Sequence, residues 1–388
     1  MTTTPKDPMI QPTDSVYRFA IDRLKNAPAD RSYLRDHHTD LNRWKAETLQ
    51  WIDGLLHYSP EPVPTEPTIE EETDFGSYVR QKISFNTAKD CRVPAYLLLP
   101  KDVSKPAPAV IGLHDHSGRF YWGKEKIVDH IDRPPEVDWL QEWRYGDRGF
   151  ASALAERGYV VLVIDALRFG ERGWLRESWL RGGAGRLDGH TPGTQPYIDA
   201  YNDVWKSNDE LMSRTLNFAG ITYLGVMVWD DRRSVDYLSS LPAVDENRIA
   251  CMGLSMGGYR AAWLGATDER IKCTCSVGYL LDFRDLVPWR APASWGVVTG
   301  LYDHLPYPDL FGLCAPHDLL VMYGQNDHTF PPASVEKAVD TIGKVYEKAG
   351  VPERFQSMAY PVGHQFDLEM QEDAFGWLDK NFDHTARE

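Results

Sequence analysis

Residues 248–258 read Arg-Ile-Ala-Cys-Met-Gly253-Leu-Ser255-Met-Gly257-Gly258, and the helical run Tyr259-Arg-Ala-Ala-Trp-Leu-Gly-Ala follows at once. A buried strand that turns this sharply into a helix leaves no space for side chains at the turn, which is why the chemistry asks for glycine at 253 and 257. The same turn predicts a strained backbone at Ser255. It exposes the hydroxyl at the carboxyl edge of a sheet, beside a helix N-terminus whose dipole favours developing negative charge. The competing reading is an ordinary strand-to-helix turn with an incidental serine.

A serine hydroxyl is a poor nucleophile until a base takes its proton, and the base needs an acid to orient it. The run Asp318-Leu-Leu-Val-Met-Tyr-Gly324-Gln-Asn-Asp327-His328-Thr-Phe-Pro331-Pro332 is a buried strand ending in a polar turn, so Asp327 is the candidate acid. The run Arg354-Phe-Gln-Ser-Met-Ala-Tyr-Pro-Val-Gly363-His364-Gln-Phe is a strand, a glycine read as permitting close approach, and a histidine, so His364 is the candidate base. Asp327 also suits a helix-cap or turn residue, and His364 a solvated loop histidine. His328 precedes the last strand and reads as a pocket-rim residue.

Two backbone N–H groups must hold the oxygen that becomes charged when a carbonyl is attacked. One is that of Met256. The other is expected from the loop after the strand at 109–114, His114-Asp115-His116-Ser117-Gly118, with the N–H of His116 favoured and Asp115 second. The His-Asp-His triplet invites a metal reading, but alternate residues of one extended segment point oppositely and no distant fourth ligand is evident, so no metal is expected. Two weaker signals are 165–172, where an Arg–carboxylate pair would shape the pocket floor unless the turn is purely structural, and the glycine cluster 181–189, read as a flexible cap loop.

Working outward, short β-rich runs at 78–85, 94–99, 109–114, 159–165, 248–252, 271–277, 318–323 and 354–360 alternate with helical stretches at 149–157, 217–241, 257–266, 334–349 and 367–381. That alternation predicts an α/β fold: a mostly parallel, eight-stranded sheet flanked by helices, its first two strands an antiparallel edge. Residues 15–57 carry apolar positions at helical spacing broken near Ala27-Pro28, predicting two helices, and the prolines of 59–67 predict an extended connector. The expected organisation is an N-terminal helical extension over 1–67 and one domain over 68–388, with inserts at 118–147, 168–212 and 279–314. The inserts hold eight of the 13 tryptophans, which either staple long loops to the body or form a cap and pocket walls. Trp122, Trp174, Trp289 and Trp295, with Asp115 and His328, are the candidate substrate-binding residues.

The 388 residues carry 42 Lys and Arg against 57 Asp and Glu, a net charge of −15, so the whole-protein field repels polyanions and anionic lipid surfaces. Neither nucleic acid nor membrane is an expected partner. Five cysteines form no C-x-x-C pair and suit a reducing compartment. No apolar window approaches a membrane span and the N-terminus lacks a signal-peptide pattern, so a soluble, cytoplasmic protein is expected.

Gly253-Leu-Ser-Met-Gly-Gly258, Gly324-Gln-Asn-Asp-His-Thr-Phe-Pro331, Gly363-His364 and the segment 114–118 together resemble the α/β-hydrolase superfamily over residues from about 75 to 384. The nearest branch is the dienelactone-hydrolase-like and acetyl-xylan-esterase-like one. The run Asp230-Asp-Arg-Arg-Ser-Val-Asp-Tyr-Leu, followed by Pro242-Ala-Val-Asp-Glu-Asn-Arg-Ile, is similar to the segment preceding the nucleophile there. The resemblance implies an α/β-hydrolase fold and a serine hydrolase without cofactor or metal, acting through an acyl-enzyme. Dienelactone hydrolases proper use a cysteine where this chain has Ser255. The expected substrate is a small acyl ester of an alcohol or carbohydrate; the alternatives are an amide or peptide-bond hydrolase of the same fold and a non-catalytic hydrolase-fold binding protein. The N-terminal helices are expected either against the body or in a homodimer.

Overall fold

The computed structural model describes residues 15–101, 103, 106–173, 187–208, 210–287 and 290–385. Among them nine strands form one sheet: β1 (Thr68–Asp74), β2 (Tyr78–Ala88), β3 (Cys91–Pro100), β4 (Ala107–Leu113), β5 (Val160–Ile164), β6 (Val244–Leu254), β7 (Ile271–Val277), β8 (Asp318–Gly324) and β9 (Phe355–Tyr360). Their order is β1-β2-β3-β5-β4-β6-β7-β8-β9. The pairings β1–β2, β2–β3 and β3–β5 are antiparallel, and all pairings from β5–β4 to β8–β9 are parallel. β4 and β5 are buried at every position, as strands covered by helices on both faces must be.

The ninth strand, β1, corrects the expected eight. Its sequence Thr-Ile-Glu-Glu-Glu-Thr-Asp is exposed at every position but one, so it has no apolar face for periodicity to reveal. A short acidic strand of this kind suits a sheet edge, where charge discourages pairing with another chain. The expected helix over 217–241 is two helices, Glu210–Phe218 and Tyr223–Ser239. Gly220, at φ 82°, breaks the run, and the hydroxyl of Thr222 caps the second helix by accepting from the Gly225 N–H.

The two N-terminal helices, Ser15–Lys25 and Leu41–Leu56, flank a segment that is tied into the body. Trp44, Ile52 and Leu56 are buried in the same apolar cluster as Phe311, Ile342 and Tyr346. Asp309 accepts from the Ser32 hydroxyl at 2.8 Å and the Tyr33 N–H at 3.0 Å, and the Lys45 ammonium donates to Ala315 O at 2.6 Å. Residues 59–67 run without regular structure to β1, and Arg233 holds them by donating to Val63 O. Among the described residues no helix is long and apolar enough to cross a membrane.

Candidate active site

Every candidate chemical residue sits just past the carboxyl end of a parallel strand. β6 ends at Leu254, and Ser255 follows at φ 59°, ψ −120°, before the helix Met256–Thr267. Only the absence of side chains allows this turn: a Cβ on Gly257 would lie 2.0 Å from Leu113 O, and one on Gly253 2.3 Å from the same atom. The Ser255 N–H donates to Val277 O at 2.7 Å and its carbonyl accepts from the Tyr259 N–H at 2.9 Å, so backbone bonds on both sides hold the serine in its strained conformation.

Asp327 and His364 come from adjacent strand ends. Oδ2 of Asp327 accepts from Nδ1 of His364 at 2.6 Å, and its Oδ1 accepts from the Thr329 N–H at 2.8 Å. Burial raises the Asp327 pKa, but the bonds from His364 and Thr329 outweigh it and hold the carboxyl below its ordinary value. The two loops are laced together by N–H groups of Gln325 and Asn326 donating to Tyr360 O at 2.7 Å and Val362 O at 3.0 Å. The glycine that permits this approach is Gly324, whose Cβ would lie 2.3 Å from Gly363 O; a Cβ on Gly363 would meet nothing within 4 Å. The close approach expected at Gly363 thus falls at Gly324. Arg144 completes the loop's support by donating to His364 O, while Arg144 O accepts from the Phe366 N–H at 2.7 Å.

Ser255 and His364 open into one cavity of about 300 Å³, lined also by His116, Ser117, Gly118, Arg144, Tyr279, Arg290, Ala293, Trp295, Thr329 and Phe330. Of the candidate substrate-binding residues, Trp295 lies in this lining, with its ring edge-on to Tyr259 at 4.9 Å. Trp122 does not: its indole N–H donates to Glu136 at 2.8 Å, outside the cavity. His328 is exposed and its neighbours Thr329 and Phe330 take the wall instead. Trp174 and Trp289 lie outside the described residues, as does most of the glycine cluster 181–189. Arg144 and Tyr279 carry no motif that would single them out; Arg144 reaches His364 across 220 positions of sequence.

The loop after β4 divides its side chains. His114 is fully buried, Nδ1 at 2.9 Å from Asp115 O and Nε2 accepting from the Ala166 N–H at 3.1 Å. Those partners fix one neutral tautomer, and burial together with the nearby Lys126 and Arg260 charges holds its pKa well below the ordinary value. Asp115 is likewise enclosed, outside the cavity lining, and accepts from the Tyr145 hydroxyl at 2.5 Å. His116 lines the cavity, its Nδ1 accepting from the Gly118 N–H at 3.0 Å.

The segment 165–172 carries its Arg–carboxylate pair through Arg172. Asp165 and Glu171 are held by the buried Lys124 at 2.9 and 2.6 Å, and Arg172 pairs with Asp230 at 2.7 Å. Arg168 stacks over Phe120, 4.4 Å from its ring centre, and its guanidinium lies 3.2 Å from Nε2 of His116. Glu125, Asp165 and Glu171 have the spacing of a metal site, but the Lys124 ammonium stands among all three, 2.8 Å from Glu125.

A strained serine between strand and helix, followed by an aspartate and a histidine at later strand ends of a mostly parallel sheet, is the architecture of an α/β-hydrolase. Residues 211–385 match the model of the prolyl oligopeptidase family. YtaP of Bacillus subtilis (strain 168), named as a hydrolase, is 26% identical over 292 residues, 74% of this chain and 83% of that protein. A structure assigned as an acetyl xylan esterase from Bacteroides fragilis NCTC 9343 superposes with a TM-score of 0.68 at 18% identity, covering 89% of this chain and 82% of that one. A glucuronoyl esterase from Solibacter usitatus gives 0.58 at 15% identity over 88% and 92%. In fold, the chain resembles the acetyl-xylan-esterase-like branch of the α/β-hydrolases.

Proposed function

We propose that the protein is a serine carboxylic ester hydrolase working through an acyl-enzyme on a small acyl ester of an alcohol or carbohydrate. The observation that carries the reading is the 2.6 Å bond between His364 and Asp327 at the cavity that also exposes the strained Ser255. The likeness in fold to the acetyl xylan esterase and glucuronoyl esterase structures supports it.

In this reading His364 takes the Ser255 proton at Nε2 as the serine oxygen attacks the ester carbonyl carbon. Asp327 holds Nδ1–H and stabilises the imidazolium. The carbonyl electron pair moves to oxygen, where the N–H groups of Met256 and His116 receive it at the helix N-terminus and the loop after β4. Collapse expels the alcohol, which takes the proton from His364. Water, deprotonated by the same Nε2, then attacks the acyl carbon and releases the acid. A cavity of about 300 Å³ walled by Tyr279, Trp295 and Phe330 suits a short acyl chain or the apolar face of a sugar.

A second reading, an amide or peptide-bond hydrolase, is favoured by the match of 211–385 to the prolyl oligopeptidase family. Hydrolysis of p-nitrophenyl acetate, butyrate and octanoate against acyl p-nitroanilides, by wild type and Ser255→Ala, separates the two. Ester turnover lost in the variant, with labelling by a fluorophosphonate lost in parallel, is the expected result. Anilide turnover without ester turnover supports the second reading, and neither turnover nor labelling removes both in favour of a binding protein.

A further inference from the structure

Lys126 lies in the short turn Lys124–Ile127 and is completely shielded from solvent. A buried ammonium is costly unless a counter-charge meets it, yet among the described residues no carboxylate lies within ion-pair distance of Lys126. Its Nζ instead donates to two main-chain oxygens in sequence, Asp115 O at 2.9 Å and His116 O at 3.0 Å, and rests over the Phe169 ring at 4.6 Å. Those carbonyls belong to the two peptide planes that meet at His116.

We propose that Lys126 is a positioning residue for the oxyanion loop: by holding the Asp115 and His116 carbonyls it sets the peptide planes on both sides of His116 and so aims the His116 N–H at the reacting carbonyl. The inference rests on the esterase reading of the site. Its geometry follows from the trans peptide, in which C=O and N–H point in opposite directions, so a carbonyl drawn to Lys126 turns the His116 N–H away from it. Asp115 O also lies 2.9 Å from Nδ1 of His114, whose other nitrogen accepts from Ala166 and leaves Nδ1 as the donor. Two donors on one carbonyl polarise its peptide and make the N–H on its far side a stronger donor. A positive charge placed behind that peptide further favours negative charge in front of it.

The charge is titratable. Burial pulls Lys126 down to about 8, against the opposing pull of Asp115, Glu136, Glu125 and Asp165, the carboxylates that face it from the β4 loop, the next helix, its own turn and the β5 loop. His114 faces it as well and is held neutral. Lys126 therefore loses its charge as pH rises through about 8, and the oxyanion hole weakens with it.

The test is steady-state hydrolysis of p-nitrophenyl acetate from pH 6 to 10 by wild type, Lys126→Met and Lys126→Arg, with the rate of fluorophosphonate labelling of Ser255 measured alongside. At pH 7, Lys126→Met should lower kcat and the labelling rate about 100-fold, the cost of one oxyanion donor, with KM within about twofold of wild type. Wild type should lose kcat above pH 8, and Lys126→Arg, charged throughout, should keep most of the activity and lack that alkaline fall. Wild-type kcat in Lys126→Met, or a loss carried by KM, overturns the proposal. If Lys126→Met does not fold, an alkaline fall near pH 8 that persists in Lys126→Arg overturns it equally. Labelling passes through the same hole without ester turnover, so a wild type that labels but hydrolyses no ester sinks the esterase reading while still deciding the role of Lys126.

Discussion

Nδ1 of His364 lies 2.6 Å from Oδ2 of Asp327, and the second carboxylate oxygen is held by the Thr329 N–H. The carboxylate can only accept, so Nδ1 carries the proton and Nε2 is left as the basic nitrogen. Asparagine in place of Asp327 can turn its NH₂ toward Nδ1 and stabilise the opposite tautomer. Asp327→Asn should therefore lower kcat by about 10⁴-fold with little change in the thermal midpoint. Undiminished turnover in a folded variant would assign the acid elsewhere.

Ser255 holds φ 59°, ψ −120°, a region in which a side chain is strained by about 1–3 kcal/mol. Glycine relieves that strain and gives back about 0.5–1 kcal/mol through the greater freedom of the unfolded chain. Ser255→Gly should raise stability by about 1 kcal/mol in urea denaturation while abolishing turnover. A variant less stable than wild type would show that the neighbouring backbone does not impose strain there.

Trp44 is 1% exposed and donates its indole N–H to Arg31 O at 2.8 Å, with its ring in the cluster that holds Phe311 and Tyr346. Trp44→Ala should cost about 3–5 kcal/mol in chemical denaturation, with a single cooperative transition. Two separate transitions, the first assigned to the N-terminal segment, would mean that the extension folds apart from the body.

Burial raises Asp309 to about 6, opposed by the bonds from Ser32 and Tyr33. The folded state thus holds a proton that the unfolded state releases at lower pH. The stability this group contributes is full below about pH 4 and is lost as pH rises through 6. Asp309→Asn keeps an acceptor for Ser32 and Tyr33 without the charge, so it should exceed wild type by on the order of 2–3 kcal/mol at pH 8 and by little at pH 4. Urea unfolding at both pH values reads the difference; an equal gap at the two would refute the linkage.

The amino-acid order by itself determined the elements whose signals are local. The strand over 248–252, the glycines at 253 and 257 and the helix behind them are read from neighbouring residues, because a sharp turn excludes side chains wherever it occurs. The buried strands near 109–114, 159–165 and 318–323 are equally plain, since a strand covered on both faces is apolar throughout. What only the tertiary structure decided depends on contacts between distant residues. β1 is a strand because β2 offers it an edge, not because Thr68–Asp74 has an apolar face. Gly324 rather than Gly363 is where the Asp327 and His364 loops nearly touch, a fact of two distant segments meeting that neither run contains. Asp115 and Trp122 turn away from the cavity because Tyr145 and Glu136 claim their polar atoms, while Arg144 and Tyr279 enter its wall with no motif of their own. Chemistry-bearing residues are legible where the backbone must be unusual to present them; the walls of a pocket are set by packing, and packing is a property of the folded whole.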